Sequence, residues 1–437
     1  MNFKKIVSNT SWLITDKIVL MAANLLVTVF LARSLGPELY GVFSYILAIV
    51  AISAPISALG LNAIVTREIV NEPAWLNKII STTLFLRLCA AVLVGVFFVT
   101  LILVSNLFTD ETQSITLAVL AIGNIFTSFQ VLDFWFQAKV LAKNVTKMKF
   151  LITIFSALLK ITVAIFYQDI FYIAVIYALE IVIIAIGFIY IYSSSAKSSV
   201  FNFKNVDFVY AKKLIKQSSW LILSGIASII YLKIDQLMLN SMIGPESVGT
   251  YAVASRLSEV WYFFANALVI TLFPTLLKLK NDSVNYRVKL QSICDALFIS
   301  ALFLAIFVTI FGGFFIDILF GAPYEQSTTI LQWHIWASLF VFMRALASKW
   351  LIAEGLLKFS LLTHGIGAAI NVTANYFLIP IYQGEGAAIA TVLSYFSASF
   401  LAFFISKSTR VIAIIMLRSI LLPFTLARRY WYLISEK

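Results

Sequence analysis

Long apolar runs separated by short polar connections set the pattern of this chain. A helix crossing a hydrocarbon core of about 30 Å needs about 20 mostly apolar residues. Runs of that kind fall at 11–32, 40–65, 79–105, 114–136, 148–167, 170–192, 218–242, 248–276, 292–316, 328–348, 357–381 and 386–406. The pattern therefore predicts twelve transmembrane helices. A further apolar stretch, 411–427, carries Arg418 at its centre and Pro423, and reads as interfacial rather than as a thirteenth span.

The connections test this count. One alternate set holds Lys4 and Lys5 at the N-terminus, then Arg67 and Lys78, then Lys139, Lys143, Lys147 and Lys149. The same set continues with Lys197, Lys204, Lys212, Lys213 and Lys216, then Lys278, Lys280, Arg287 and Lys289, then Lys349 and Lys358. It ends with Lys407, Arg410, Arg418, Arg428, Arg429 and Lys437. The other set holds Arg33 alone among cations, with Glu38, Asp110, Glu111, Asp169, Glu246, Asp317, Glu325 and Glu385. Cytoplasmic connections carry the excess of Lys and Arg, so both termini are expected in the cytoplasm. A wrong helix count would scramble the alternation.

Composition agrees. The 437 residues are 61% hydrophobic and 12% charged, with a mean hydropathy of +0.97. Ordinary soluble domains are about 45–50% apolar and about 25% charged. A water-soluble core cannot absorb this surplus, so the chain is an all-α polytopic membrane protein. Its net charge of +12 would suggest nucleic acid in a soluble protein. Here topology accounts for it, and no nucleic-acid partner is expected. Cys89 and Cys294 fall inside apolar runs and read as small apolar side chains. "MNFKK" precedes the first run without a small-residue cleavage site, which suggests an uncleaved first span.

The longest connection, 193–217, contains "SSSAKSS" and divides the chain. The expected organisation is an N-lobe at 1–192, a cytoplasmic linker at 193–217, a C-lobe at 218–406 and a basic segment at 407–437. No extracytoplasmic connection has room for the catalytic domain of a glycosyltransferase or a polymerase. A transporter is expected, not an enzyme.

A repeat links the halves. Residues 11–41 align without gaps on 219–249, with ten identities in 31 positions. "SWLI" recurs, Ile18 matches Ile226 and Leu31 matches Leu239. Gly36, Pro37, Glu38 and Gly41 return as Gly244, Pro245, Glu246 and Gly249. Each part of this turn has a local reason. Gly36 can close a helix in a left-handed conformation, and Pro37 suits the first position of the next helix. Glu38 faces that helix's positive end, and Gly41 permits close helix approach. The motif reads as hairpin chemistry. Because both copies fall on the outer face, the first and seventh spans run the same way. Two parallel six-helix lobes follow, related by an axis along the membrane normal.

Ionisable residues inside spans cost about 2.5–3.5 kcal/mol on insertion scales and normally face the bundle interior. The cations are Lys17, Arg87, Lys160, Lys233, Arg256 and Arg344; the acids are Asp16, Glu180, Asp235 and Glu259. Asp133 and Asp295 lie near cytoplasmic ends, where solvation is easy. Arg256 and Glu259, spaced i,i+3, can pair along one face, and Lys17 can snorkel. Structural pairing is the first reading for the acids, with proton coupling behind it. The cations suit an anionic substrate, since Arg and Lys bind phosphate strongly.

Other motifs fall away. His334 and His364 each stand alone in sequence, so no metal site is expected. "HGIGAAIN" at 364–371 lies within a span with no strand before it, and reads as helix packing. There is no Walker motif or Cys/His cluster, and no cofactor is expected. The sequons at Asn144 and Asn371 are cytoplasmic and intramembrane.

The stretch "NTSWLITDKIVLMAANLLVTVFLARSLGPELYGVFSY" at 9–45 and its echo "QSSWLILSGIASIIYLKIDQLMLNSMIGPESVGTYAV" at 217–253 resemble the Wzx-type O-antigen flippases. These form part of the polysaccharide-transport branch of the multidrug/oligosaccharidyl-lipid/polysaccharide exporter superfamily. The resemblance implies a MATE-like fold in the bacterial inner membrane. It also implies movement of an undecaprenyl-pyrophosphate-linked oligosaccharide between leaflets by alternating access. Partners would be that substrate, membrane lipids, a polysaccharide polymerase and a chain-length regulator. In the superfamily the first, second, seventh and eighth spans line the cavity between lobes. That promotes Asp16, Lys17, Lys233, Asp235, Arg256 and Glu259 above Arg87, Lys160, Glu180 and Arg344. Two alternatives stay open: a cation-coupled multidrug exporter, which would want an acid-dominated cavity, and a membrane scaffold for polysaccharide assembly, which would need no intramembrane charge.

Overall fold

The computed structural model describes residues 3–104, 108, 110–139, 141–196, 203–280, 282–356 and 358–425, with side chains from Ile18 onward. Asp16 and Lys17 therefore lie outside the described side chains. Within these residues the regular elements are helical. The first unit contains α1 (Phe3–Ala58), α2 (Asn62–Asn71), α3 (Leu76–Val104), α4 (Glu111–Ile125), α5 (Val131–Ala138), α6 (Ala142–Phe166), α7 (Ile170–Ala196) and α8 (Phe208–Met242). Next come α9 (Pro245–Glu259), α10 (Tyr262–Lys278), α11 (Ser283–Phe320), α12 (Ser327–His334), α13 (Ala337–Ala353), α14 (Lys358–Ser399) and α15 (Arg410–Ile420). Nine described helical stretches are long and apolar enough to cross a membrane. Their outer faces expose Leu93, Phe97, Phe155, Phe303 and Phe314, large apolar side chains that water would not tolerate as a continuous coat. This is a multi-pass membrane protein.

The apolar runs and the helices correspond closely, and the departures have local causes. α1 spans the first two runs. Gly36, at φ 72° and ψ 172°, interrupts it where the turn motif was read. The second run ends at Ala58 rather than at 65, because Leu59 and Gly60 both take positive φ before α2 begins. α14 likewise covers two runs, broken at Gln383 (φ 49°, ψ −125°). A methyl group at Gly386 would lie 2.4 Å from the Leu378 carbonyl oxygen. Eight residues of continuous helix span about 12 Å, so the chain folds back there. The fourth run divides into α4 and α5 around a 3₁₀ turn at Phe126–Gln130. Thr127 donates its hydroxyl to the Asn124 carbonyl (2.7 Å), while Arg87 takes the Thr127 carbonyl (3.2 Å). Both side chains compete with the helical ladder.

The two copies of the turn meet each other. A methyl at Gly41 would lie 1.8 Å from the Pro245 carbonyl oxygen, and one at Gly249 would lie 2.0 Å from that of Pro37. Position 41 touches 245, and its counterpart 249 touches 37. Such an exchange is the signature of a two-fold contact. Gly244, like Gly36, takes a positive φ of 130°. On α8, Leu221 lies against Gly60, just past the end of α1, and Gly225 lies against Pro55 of α1. Small residues thus let α8 lie close on α1.

Compactness divides the chain into Met1–Gly249 and Thr250–Lys437. The expected linker, 193–217, falls inside the first unit, and its described part is fastened there. Lys78 pairs with Asp207 at 2.5 Å and lies 4.7 Å above the Trp75 ring. Asp207 also caps α8 by accepting from the Tyr210 backbone N–H (2.8 Å), and its own N–H donates to Thr82 (3.1 Å). In the second unit, α15 is 11 residues long, about 16 Å, too short to span. It buries Ile412, Ala413, Ile415, Met416 and Ser419 and leaves Arg418 exposed. Ser419 donates to Asp295 of α11 at 2.6 Å.

Candidate functional site

The charges within the spanning helices fall into two groups. The first is sealed in helix packing. On α6, Thr153, Ser156 and Lys160 stand at i, i+3 and i+7, one helical face. That face meets Glu180 of α7: Thr153 donates to its Oε1 (3.2 Å) and Ser156 to its Oε2 (2.9 Å). Lys160 forms an ion pair with the same carboxylate. The Lys160 ammonium also lies 3.5 Å from the Tyr177 ring centroid, a cation–π contact, and the residue is 3% exposed. In the second unit Arg344, 6% exposed, donates to the Ala398 carbonyl (3.1 Å) and contacts His364 Nε2 (3.0 Å). The Phe403 ring lies 5.3 Å from its guanidinium carbon. Arg87, 1% exposed, bonds Asn62 Oδ1 (3.4 Å) and the Thr127 carbonyl, with the Phe134 ring 5.8 Å away. No described carboxylate pairs with it.

The second group retains accessible surface. Lys233 of α8 is half-buried, Arg256 of α9 is exposed and Glu259 is half-buried. Asp235, by contrast, is 1% exposed. Lys233 and Arg256 thus retain accessible surface, whereas Arg87, Lys160 and Arg344 are buried.

Two expectations are corrected. Asp295 was placed among the easily solvated groups, yet it is 2% exposed. Besides Ser419 it accepts from Gln291 (2.8 Å), because α15 covers that part of α11. His364 does not stand alone, since Arg344 of α13 reaches its Nε2 from the neighbouring helix. His334 has its ring 5.9 Å from that of Tyr251. Sequence reasoning missed Thr153 and Ser156. Their signal was available: two hydroxyls and a lysine at helical spacing in an apolar run, with one carboxylate in the run that follows.

A model of the polysaccharide biosynthesis protein family matches residues 6–280, more than half of the chain. The chain belongs to that family. The match covers the first unit, both copies of the turn, and Lys233, Arg256 and Glu259. Across the family fold the chain is similar to the lipid II flippase MurJ in an inward closed conformation, with a TM-score of 0.73 at 15% identity. That alignment covers 96% of this chain and 92% of the other. An inward-facing multidrug resistance MATE family transporter of the MOP superfamily aligns with a TM-score of 0.68 at 16% identity, over 91% and 95%. At such identities these likenesses establish the fold. An uncharacterized membrane protein of Methanocaldococcus jannaschii is 26% identical over 224 residues, 49% of this chain and 44% of that protein. The aligned stretch thus covers less than half of that relative. The family member described here is a membrane protein with the MurJ- and MATE-like transporter fold.

Proposed function

We propose that this family member is a flippase for an undecaprenyl-pyrophosphate-linked oligosaccharide, such as an O-antigen repeat unit, working by alternating access in the bacterial inner membrane. The observation that carries the reading is the sorting of intramembrane cations. Lys233 and Arg256, on the helices of the repeat, stay accessible in a family tied to polysaccharide biosynthesis. They meet the diphosphate, with Lys17 as a third candidate, and Asp16, Asp235 and Glu259 supply counter-charge or proton coupling. Lys160 with Glu180, and Arg344 with His364, hold their helices in place. Any polymerase or chain-length regulator would act on the delivered product.

The helix geometry supports twelve spans with both termini in the cytoplasm. Two of the nine long apolar stretches, Ile18–Ala58 and Lys358–Phe404, are about twice the length one crossing needs and are broken at Gly36 and Gln383. α9 and α10 supply one more crossing in two pieces. The basic connections then alternate as the positive-inside rule requires.

The test is surface polysaccharide in a strain lacking the gene, complemented with K233A/R256A. Loss of export at normal protein level is expected. Full export by the double variant sinks the cationic-site reading, and unchanged polysaccharide in the deletion strain overturns the flippase assignment.

A further inference from the structure

A cavity of about 520 Å³ opens beside α2, lined by Asn62, Thr66, Arg67, Asn71, Phe134 and Gln137 among others. Its volume lies within the range of about 300–1,000 Å³ typical of ligand pockets. Val70 and Phe134 make its wall apolar in part, and the other five lining residues offer hydrogen-bonding groups. Behind it stands Arg87. Asn62 accepts from Arg87 Nη1, and the Phe134 ring faces its guanidinium, so two lining residues are also Arg87's neighbours. Arg87 Nε has no hydrogen-bond partner.

The charge balance at this place is incomplete. Arg67 and Arg87 together carry two positive charges. The described carboxylates of α2 and α5 are engaged elsewhere or only weakly shared. Glu68 takes Arg67 at 3.2 Å, an exposed contact, and the Tyr210 hydroxyl at 3.5 Å. Asp133 takes Gln137 (3.2 Å) and Lys149 (3.9 Å). A guanidinium shut away from water and ligated by neutral oxygens alone is costly unless an anion approaches it. Lys139 closes α5, and Lys143 and Lys147 stand in the first two turns of α6, which follows it.

We propose that this cavity binds a phosphoryl anion, held by Arg67 at the wall and neutralising Arg87 behind Asn62. The planar fork of Arg67 matches phosphate oxygens, Arg87 acts through its charge from behind Asn62, and Asn71 and Gln137 offer neutral donors. The anion is the headgroup of an acidic membrane lipid or free phosphate; both present the same chemistry. Neither Lys233 nor Arg256 lines the cavity, and the proposal does not rest on the flippase reading.

The experiment uses the full-length protein in a neutral detergent, titrated separately with dihexanoyl phosphatidic acid, inorganic phosphate and dihexanoyl phosphatidylcholine while thermal unfolding is followed. Saturable stabilisation by phosphatidic acid, by inorganic phosphate or by both is expected, with little from phosphatidylcholine. Phosphatidic acid alone identifies a lipid headgroup, and a response to phosphate identifies the free ion. R67A removes an exposed side chain and should fold normally, with its dissociation constant raised about tenfold, the worth of one charge-assisted hydrogen bond. T66W, which fills the cavity, should abolish the response. Equal stabilisation of wild type, R67A and T66W overturns the proposal, as does no saturable response to either anion.

Discussion

Lys160 and Arg87 are both cations buried in the first unit, and their surroundings differ in one respect. Lys160 has a carboxylate, and two hydroxyls and an aromatic ring complete the cluster. Arg87 has an amide oxygen, a backbone carbonyl and a ring, but no described carboxylate. A buried charge that carries its own counter-ion is a strut, because every group it needs is already supplied. A buried charge without one points outward, to whatever supplies the missing negative charge. The same residue class, at similar burial, therefore implies packing in one place and a ligand in the other.

The largest expected effect comes from breaking the complete cluster. K160M leaves Glu180 uncompensated and should cost about 3–5 kcal/mol, as removing one partner of a buried pair does. E180Q should cost a similar amount from the other side. K160M/E180M should recover most of the loss, since the hydroxyls of Thr153 and Ser156 can turn back to their own helix. Unfolding of the four proteins in detergent measures this, and a double variant no better than either single one would contradict the strut.

Arg87 should behave differently. R87M leaves the Thr127 carbonyl and Asn62 Oδ1 without their donor, a loss of about 1–3 kcal/mol. No stranded carboxylate is created, so the cost should fall below that of K160M. Added phosphatidic acid should widen the gap between wild type and R87M, and leave the gap between wild type and K160M/E180M unchanged. Equal widening in both would erase the distinction between the two cations.

How much of this was legible in the sequence depended on range. The turn at Gly36–Gly41 was readable because its causes are local: a positive-φ glycine, a proline at a helix start and a small residue one turn on. Its recurrence at Gly244–Gly249 was readable too. That the copies dock on each other, Gly41 against Pro245 and Gly249 against Pro37, was not, since nothing in one copy names its partner. Among the charges, depth along a span was legible and burial was not. Lys160 and Arg256 look alike as letters in apolar runs; packing seals one and leaves the other exposed. Arg87 gave no sign of lacking a carboxylate, because that depends on which helices surround it.

The smallest expected effect concerns a third cation of the same unit, Lys78, whose pair with Asp207 is partly exposed. The hydrogen bond from Lys78, followed by that from the Tyr210 N–H, holds the Asp207 carboxyl below its usual value. An exposed pair is worth little and is screened by salt, so D207N should destabilise less than either buried substitution. Its pH dependence has a definite sign. With the folded value lowered, the contribution is fully present above the unfolded carboxylate value of about 3.9. It is lost as pH falls through the folded value. Thermal midpoints of wild type and D207N should therefore differ at pH 7 and converge below about pH 4. High salt at neutral pH should narrow the same gap, while leaving the cost of K160M nearly untouched because that pair is shielded from ions. A gap that ignores both acid and salt would mean that Asp207 acts through its helix cap alone, and that Lys78 adds nothing to the fastening of α8.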